Sequence, residues 1–196
     1  MSENKIYVIY KDNNRNFKEL IKDNNNEEEF RNIINDGFVG KKIKNIWNSN
    51  YTMTWDKNTS TIEKADFCFY AGLIPFVNEK TYRLLNDVIP LNYIEFLPVT
   101  IENKETMYAL NIVNINTEIF NEKKSTIKYF PDGDIYEIKK YIFNDIENIP
   151  VIFKIPQMLK DIFVSDEFVK IVKDNNLTGI DFKECKISRS LFNFKF

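Results

Sequence analysis

The sequence predicts an α+β fold, mainly antiparallel sheet with two principal amphipathic helices at about residues 78–89 and 165–176. Short runs of β-branched and aromatic residues fill the middle of the chain, and the segments joining them are of hairpin size. Two segments combine a helix cap with an apolar stripe at the three-and-four spacing. With 196 residues, 43% of them hydrophobic and 15% aromatic, the chain can close a core by itself, as one domain or as two packed lobes of about 1–90 and 91–196.

Ile6 to Tyr10 reads as an opening strand. The Asn-rich patches KDNNRN and IKDNNNEEE read as solvated loops; a helix can also begin in the second, running through Glu27 to Phe30, Ile33 and Ile34. Trp47, Tyr51, Met53 and Trp55 stand among polar residues, and the last three alternate like one face of a strand. ADFCFYAG reads as a buried strand, followed by the first capped helix and by YIEFLPVTI. The short ENK joins that run to ETMYALNIVNI as a hairpin. TIKYF, the turn PDGD and IYEIKKYIF make a second hairpin, and PVIFKI and DIFV supply further strands.

The best-formed stretch is IFVSDEFVKIVKDNNLTGIDF, residues 162 to 182. Ser165 stands at the N-cap position, Asp166 and Glu167 favour the positive end of the helix dipole, and Val164 can staple to Val169. Asn175 and Asn176 tolerate left-handed backbone and Gly179 frees the exit, after which Ile180 and Phe182 alternate with Asp181. An echo lies upstream. Phe76-Val77 matches Phe163-Val164, Asn78 replaces the Ser cap, and Ile94-Glu95-Phe96 matches Ile180-Asp181-Phe182. Internal duplication and the chance recurrence of a common unit both account for this.

The chemistry available is narrow. There is no His, which removes the usual neutral-pH base, the Ser-His and Cys-His nucleophile pairs and the commonest metal ligand. The five glycines are scattered and fit neither a P-loop nor a dinucleotide fingerprint. A net charge of −2 gives no positive field for nucleic acid. No run is long enough to span a membrane and the start is unlike a signal peptide, so a cytoplasmic location is expected. Cys68 and Cys185, each among apolar neighbours, read as reduced, buried thiols, and neither a metal site nor a cofactor is expected.

Among the carboxylates, Asp132 and Asp134 flank Gly133 in what is first of all a turn, and Glu27, Glu28 and Glu29 cannot share one helix face. Ser165, Ser125 and Tyr108 have no neighbouring base to activate them. Trp47, Tyr51 and Trp55 read either as core or as an aromatic anchor for a partner. The partner-binding candidates are therefore Glu27, Glu28, Glu29, Trp47, Tyr51, Trp55, Asp132 and Asp134.

The series NYIEFLPVTI, YALNIVNI, KKSTI, IFKIP and IFVSDEFVKIVKDNNLTGIDF resembles the bacterial polymorphic-toxin immunity proteins of the MXAN type. The resemblance covers about residues 66 to 185 and is most specific in Phe153-Lys154, VSDEF and LTGIDF. One departure is Asn121, four residues before Ser125, where an Asp commonly precedes the KS segment. The resemblance implies a non-catalytic antitoxin that binds a cognate toxin domain. A carboxylate-dependent hydrolase or metal-assisted nuclease, and a protein-binding adaptor, are the alternatives; two acids converging in one cavity would mark the enzyme.

Overall fold

Most strands form where the alternation predicts them, while one at Leu20–Lys22 takes Ile21 and Lys22 from a patch read as loop, and one at Lys186–Ser188 forms where no strand is predicted. In the computed structural model, which describes residues 4–14, 17–22, 27–56, 63–102 and 104–188, the first half runs β1 (Ile6–Lys11), β2 (Leu20–Lys22), α1 (Glu27–Gly37), β3 (Thr52–Trp55), β4 (Phe67–Tyr70), β5 (Ile74–Asn78), α2 (Glu79–Asn86) and β6 (Ile94–Ile101). The second runs β7 (Glu105–Ile112), β8 (Thr126–Tyr129), β9 (Ile135–Lys140), β10 (Ile142–Asn144), β11 (Ile152–Phe153), β12 (Phe163–Ser165), α3 (Asp166–Asp174), β13 (Ile180–Glu184) and β14 (Lys186–Ser188). The class is α+β. Residues 15–16 and 23–26 of the Asn-rich patches lie outside the described residues.

Helices α2 and α3 form as expected, and α1, at 11 residues the longest among the described residues, forms where a helix can begin at Glu27. Two expectations are corrected. The sheets are not built from hairpins alone, because α2 and α3 are both crossovers between parallel strands. An antiparallel strand from elsewhere fills the gap between each parallel pair, so those ladders stay antiparallel; β3–β6 and β10–β14 pair directly in parallel. Finally, Asn78 caps α2 by accepting from the Thr81 amide at 2.9 Å, whereas Ser165 occupies the N-cap position of α3 without making a capping bond. Its hydroxyl is buried and has no partner among the described residues.

The echoed sequences fold alike. One sheet has the order β2-β3-β6-β7-β5-β4 and the other β11-β12-β1-β13. Val77 of β5 faces Tyr108 of β7, and Val164 of β12 faces Tyr7 of β1. Phe96 faces Leu110, and Phe182 faces Ile9. The match continues where Thr52 and Met53 pair in parallel with Thr100 and Ile101, as Ile142 and Phe143 do with Lys186 and Ile187. Residues 6–101 and 105–188 thus repeat one arrangement, with the first strand of each half inserted in the sheet of the other.

Strand alternation distributes the apolar side chains over three cores. Val77, Leu110, Val164 and Ile9 join Leu85 of α2 and Phe168 and Val172 of α3 in a central core. Phe76, Met107 and Ala109 face a second core closed by Phe30 of α1. Phe163 and Ile6 face a third, closed by Ile138 of β9. Fully burying a Val or Phe contributes about 1.5–3 kcal/mol, so each strand is held from both faces. Cys68 is buried and Cys185 half-buried; both are free, and burial pushes each thiol up to about 12.

The halves are joined at Asp66. Its carboxylate accepts from the Thr178 amide at 2.9 Å, the Thr178 hydroxyl at 3.0 Å and Asn78 Nδ2 at 2.9 Å, while the Phe67 amide donates to the Thr178 carbonyl at 2.9 Å. Gly179 follows with φ +88°, and a Cβ there would lie 2.0 Å from the Phe67 carbonyl oxygen and 2.5 Å from the Ala65 Cβ. Gly133 also has positive φ but faces open space. In urea unfolding, Gly179→Ala should therefore cost about 3–4 kcal/mol, against about 1 kcal/mol for Gly133→Ala. Equal losses would show that the close approach does not matter.

Candidate partner-binding surface

The second hairpin presents the most distinctive surface. Its turn is set by Asp132, whose Oδ1 accepts from the Asp134 amide at 3.2 Å, and by Gly133 at φ +95°. The Phe130 amide closes it on the Asp134 carbonyl at 2.7 Å. Ile127, Ile135 and Ile138 pack on the third core. The pairing skips Lys139 and Tyr136, which are extra residues on β9, so the alternation breaks twice. Tyr129, Phe130 and Tyr136 are 52%, 47% and 54% exposed on this one hairpin.

These aromatics are ordered against one another. Phe130 meets Tyr136 edge-on at 4.9 Å, and Lys128 lies over the Tyr136 ring at 5.9 Å. Lys128 also pairs with Glu137 at 2.9 Å, which holds the Glu137 carboxyl below its ordinary range. Asp132 and Asp134 at the tip are exposed, and neither enters an ion pair among the described residues. The outer face of the hairpin is therefore aromatic with an acidic tip, while Lys139 and Lys140 stand exposed farther along β9.

The other candidates fall elsewhere. Glu27 opens α1, and Glu28 and Glu29 are exposed in its first turn, over the second core. The aromatic strip is turned inward: Tyr51 has no exposed surface and Trp55 is 5% exposed. Tyr51 packs edge-on to Phe30 at 5.2 Å and to Trp47 at 5.0 Å, locking α1 to the sheet. Trp47 is half-buried and donates to the Pro98 carbonyl at 2.8 Å, and Trp55 donates to Glu105 at 2.8 Å. None of these three indoles and phenols offers a free face with its polar tip open, because the sheet uses them as core. Asn121 has a structural role, its Oδ1 accepting from the Lys124 amide at 3.0 Å while Nδ2 donates to Asn144 at 2.7 Å.

Sequence reasoning missed Tyr129, Phe130 and Tyr136, since an aromatic in a strand-forming run reads equally as core, and only the packing of the hairpin leaves these exposed. It also missed the character of Lys154, which the Phe153-Lys154 pair brought to notice without a role. Lys154 is 3% exposed, and its ammonium donates to the carbonyls of Phe38 and Leu159, each at 2.6 Å. Burial pushes its pKa down to about 8. Four cavities formed by the described residues are lined by at most one carboxylate each, Glu122, Asp161 or Glu184, and no metal-binding group of His, Cys, Asp and Glu occurs among the described residues. No helix among them is long and apolar enough to cross a membrane.

A family model described as "Immunity protein family (Imm11)" matches residues 10–187, from β1 to β14. No curated protein matches the chain.

The lysine gives a pH signature. Its folded pKa of about 8 lies below the unfolded value of about 10.4, so between the two the unfolded chain binds more protons and stability rises with pH. Between pH 7 and 9.5 the unfolding free energy of wild type should gain about 2 kcal/mol relative to Lys154→Met. Parallel pH profiles for the two proteins in urea unfolding would contradict this.

Proposed function

Because the chain belongs to the Imm11 immunity protein family, we propose that it is the antitoxin of a bacterial polymorphic toxin system, which binds its cognate toxin domain in the cytoplasm and blocks it without catalysis. The single observation carrying the reading is the family match over nearly the whole chain. The geometry supports it in a second way. A binding protein needs a rigid scaffold with a small, pre-ordered surface left over, and the second hairpin is such a surface.

Within this reading the toxin meets Phe130, Tyr136, Asp132 and Asp134. Aromatic side chains anchor interfaces at low entropic cost, and the two tip carboxylates favour a partner with Lys or Arg around an apolar depression. Glu28 and Glu29 are the second candidate surface. The two surfaces lie over different cores, which makes them separable by mutation.

The test is co-expression with the toxin domain of the neighbouring reading frame. Survival should depend on this protein, and equal killing with and without it would remove the reading. In calorimetric titration, the Phe130→Ala, Tyr136→Ala double variant should bind the toxin about 100-fold more weakly or worse. The Asp132→Asn, Asp134→Asn variant should lose about 10-fold, less at high salt. A larger loss from Glu28→Gln, Glu29→Gln would move the interface to α1.

A further inference from the structure

Lys154 is a buried cation without an ion-paired carboxylate among the described residues. An ammonium has three donors, and two of them go to the Phe38 and Leu159 carbonyls. No carboxylate lies within ion-pair distance among the described residues. Asp161, whose field reaches Lys154, is engaged by the Tyr141 hydroxyl at 2.5 Å. Lys, when buried, is ordinarily paired, because a lone charge in apolar surroundings costs several kcal/mol.

The same side chain walls a cavity of about 180 Å³, where α1's exit, the β4–β5 turn and the segment before β12 meet. Phe38, Ile74, Pro75, Leu110 and Ile162 form its apolar wall. Its two charged lining residues, Lys154 and Lys160, are both cations. An apolar cavity of about 150 Å³ holds a benzene ring, so the space suits a small organic body. A neighbouring cavity of about 170 Å³ shares Leu73, Lys160 and Ile162 but includes Asp161, which disfavours an anion on that side.

We propose that this cavity is a binding site for a small monocarboxylate, with its short apolar body against Leu110 and Ile162 and its carboxylate on the Lys154 ammonium. Such a ligand supplies the missing charge and takes up the third donor, and it offers the walls an apolar partner. The order of events is binding only; no bond is made or broken. The site is independent of the hairpin and of the toxin-binding reading.

The probe is sodium hexanoate, titrated into the full chain at pH 7 and followed by amide and methyl NMR, with 1-hexanol as the uncharged control. Hexanoate should give saturable shifts at Leu110 and Ile162, with hexanol about 10-fold weaker or more. Lys154→Met should weaken hexanoate to the level of hexanol, and Lys160→Gln should weaken it less. Raising the pH above 8 should weaken hexanoate and leave hexanol unchanged, since the ammonium then loses its proton. If Lys154→Met does not fold, the hexanoate-to-hexanol ratio and its pH dependence in wild type decide. Equal affinities for the two probes, or no saturable shift at the cavity with hexanoate, would overturn the proposal.

Discussion

The two halves depend on one carboxylate. Asp66 immediately precedes the first half's β4, and through Thr178 it grips the loop that leaves the second half's α3. The Asp66 amide in turn donates to the Thr178 hydroxyl oxygen at 3.1 Å, and the Phe67 amide donates to the Thr178 carbonyl. Asn78, which caps α2, donates to the same carboxylate. Charge-assisted bonds of this kind contribute about 1.5–3 kcal/mol each, and here they fix the distance between two sheets. The approach is close enough that Gly179 has no room for a side chain.

Exchange of first strands makes that junction consequential. β1 lies between β12 and β13, and β7 lies between β5 and β6, so neither half has a complete sheet by itself. The central core takes residues from both sheets and both crossover helices. Loss of one strand would open a ladder and expose two cores together, which couples the halves into one cooperative unit. Pairing β1 with strands more than 150 residues away requires late closure of a long loop, so assembly is expected to be governed by non-local contacts.

The repeat also separates scaffold from surface. Where the first half inserts α1 between β2 and β3, the second inserts the β8–β9 hairpin before β10. Each insertion closes an outer core, through Phe30 in one case and Ile138 in the other. Closing the third core requires only the inner isoleucines of the hairpin. The outer aromatics and the tip acids add nothing to that closure, and surface free of packing duties is where recognition can be placed. Lys154 is the opposite case: a charge inside the scaffold whose two carbonyl bonds tie the end of α1 to the segment before β12.

Local chemistry was legible in the sequence. Cap positions, the apolar stripes of α2 and α3, the PDGD turn and the left-handed positions Asn176 and Gly179 all follow from side chains acting within a few residues. Even the echo of Phe76-Val77 in Phe163-Val164 foretold equivalent strand registers. The absence of His narrowed the chemistry without any coordinates. Tertiary structure alone decided that β1 and β7 change places, that Tyr51 and Trp55 point inward, that Tyr129, Phe130 and Tyr136 stay exposed, and that Lys154 is enclosed without an ion-paired acid among the described residues. The division has a physical cause. Propensity and capping are summed along the chain, whereas burial, register slips and the company of a charge depend on which distant strand fills a gap.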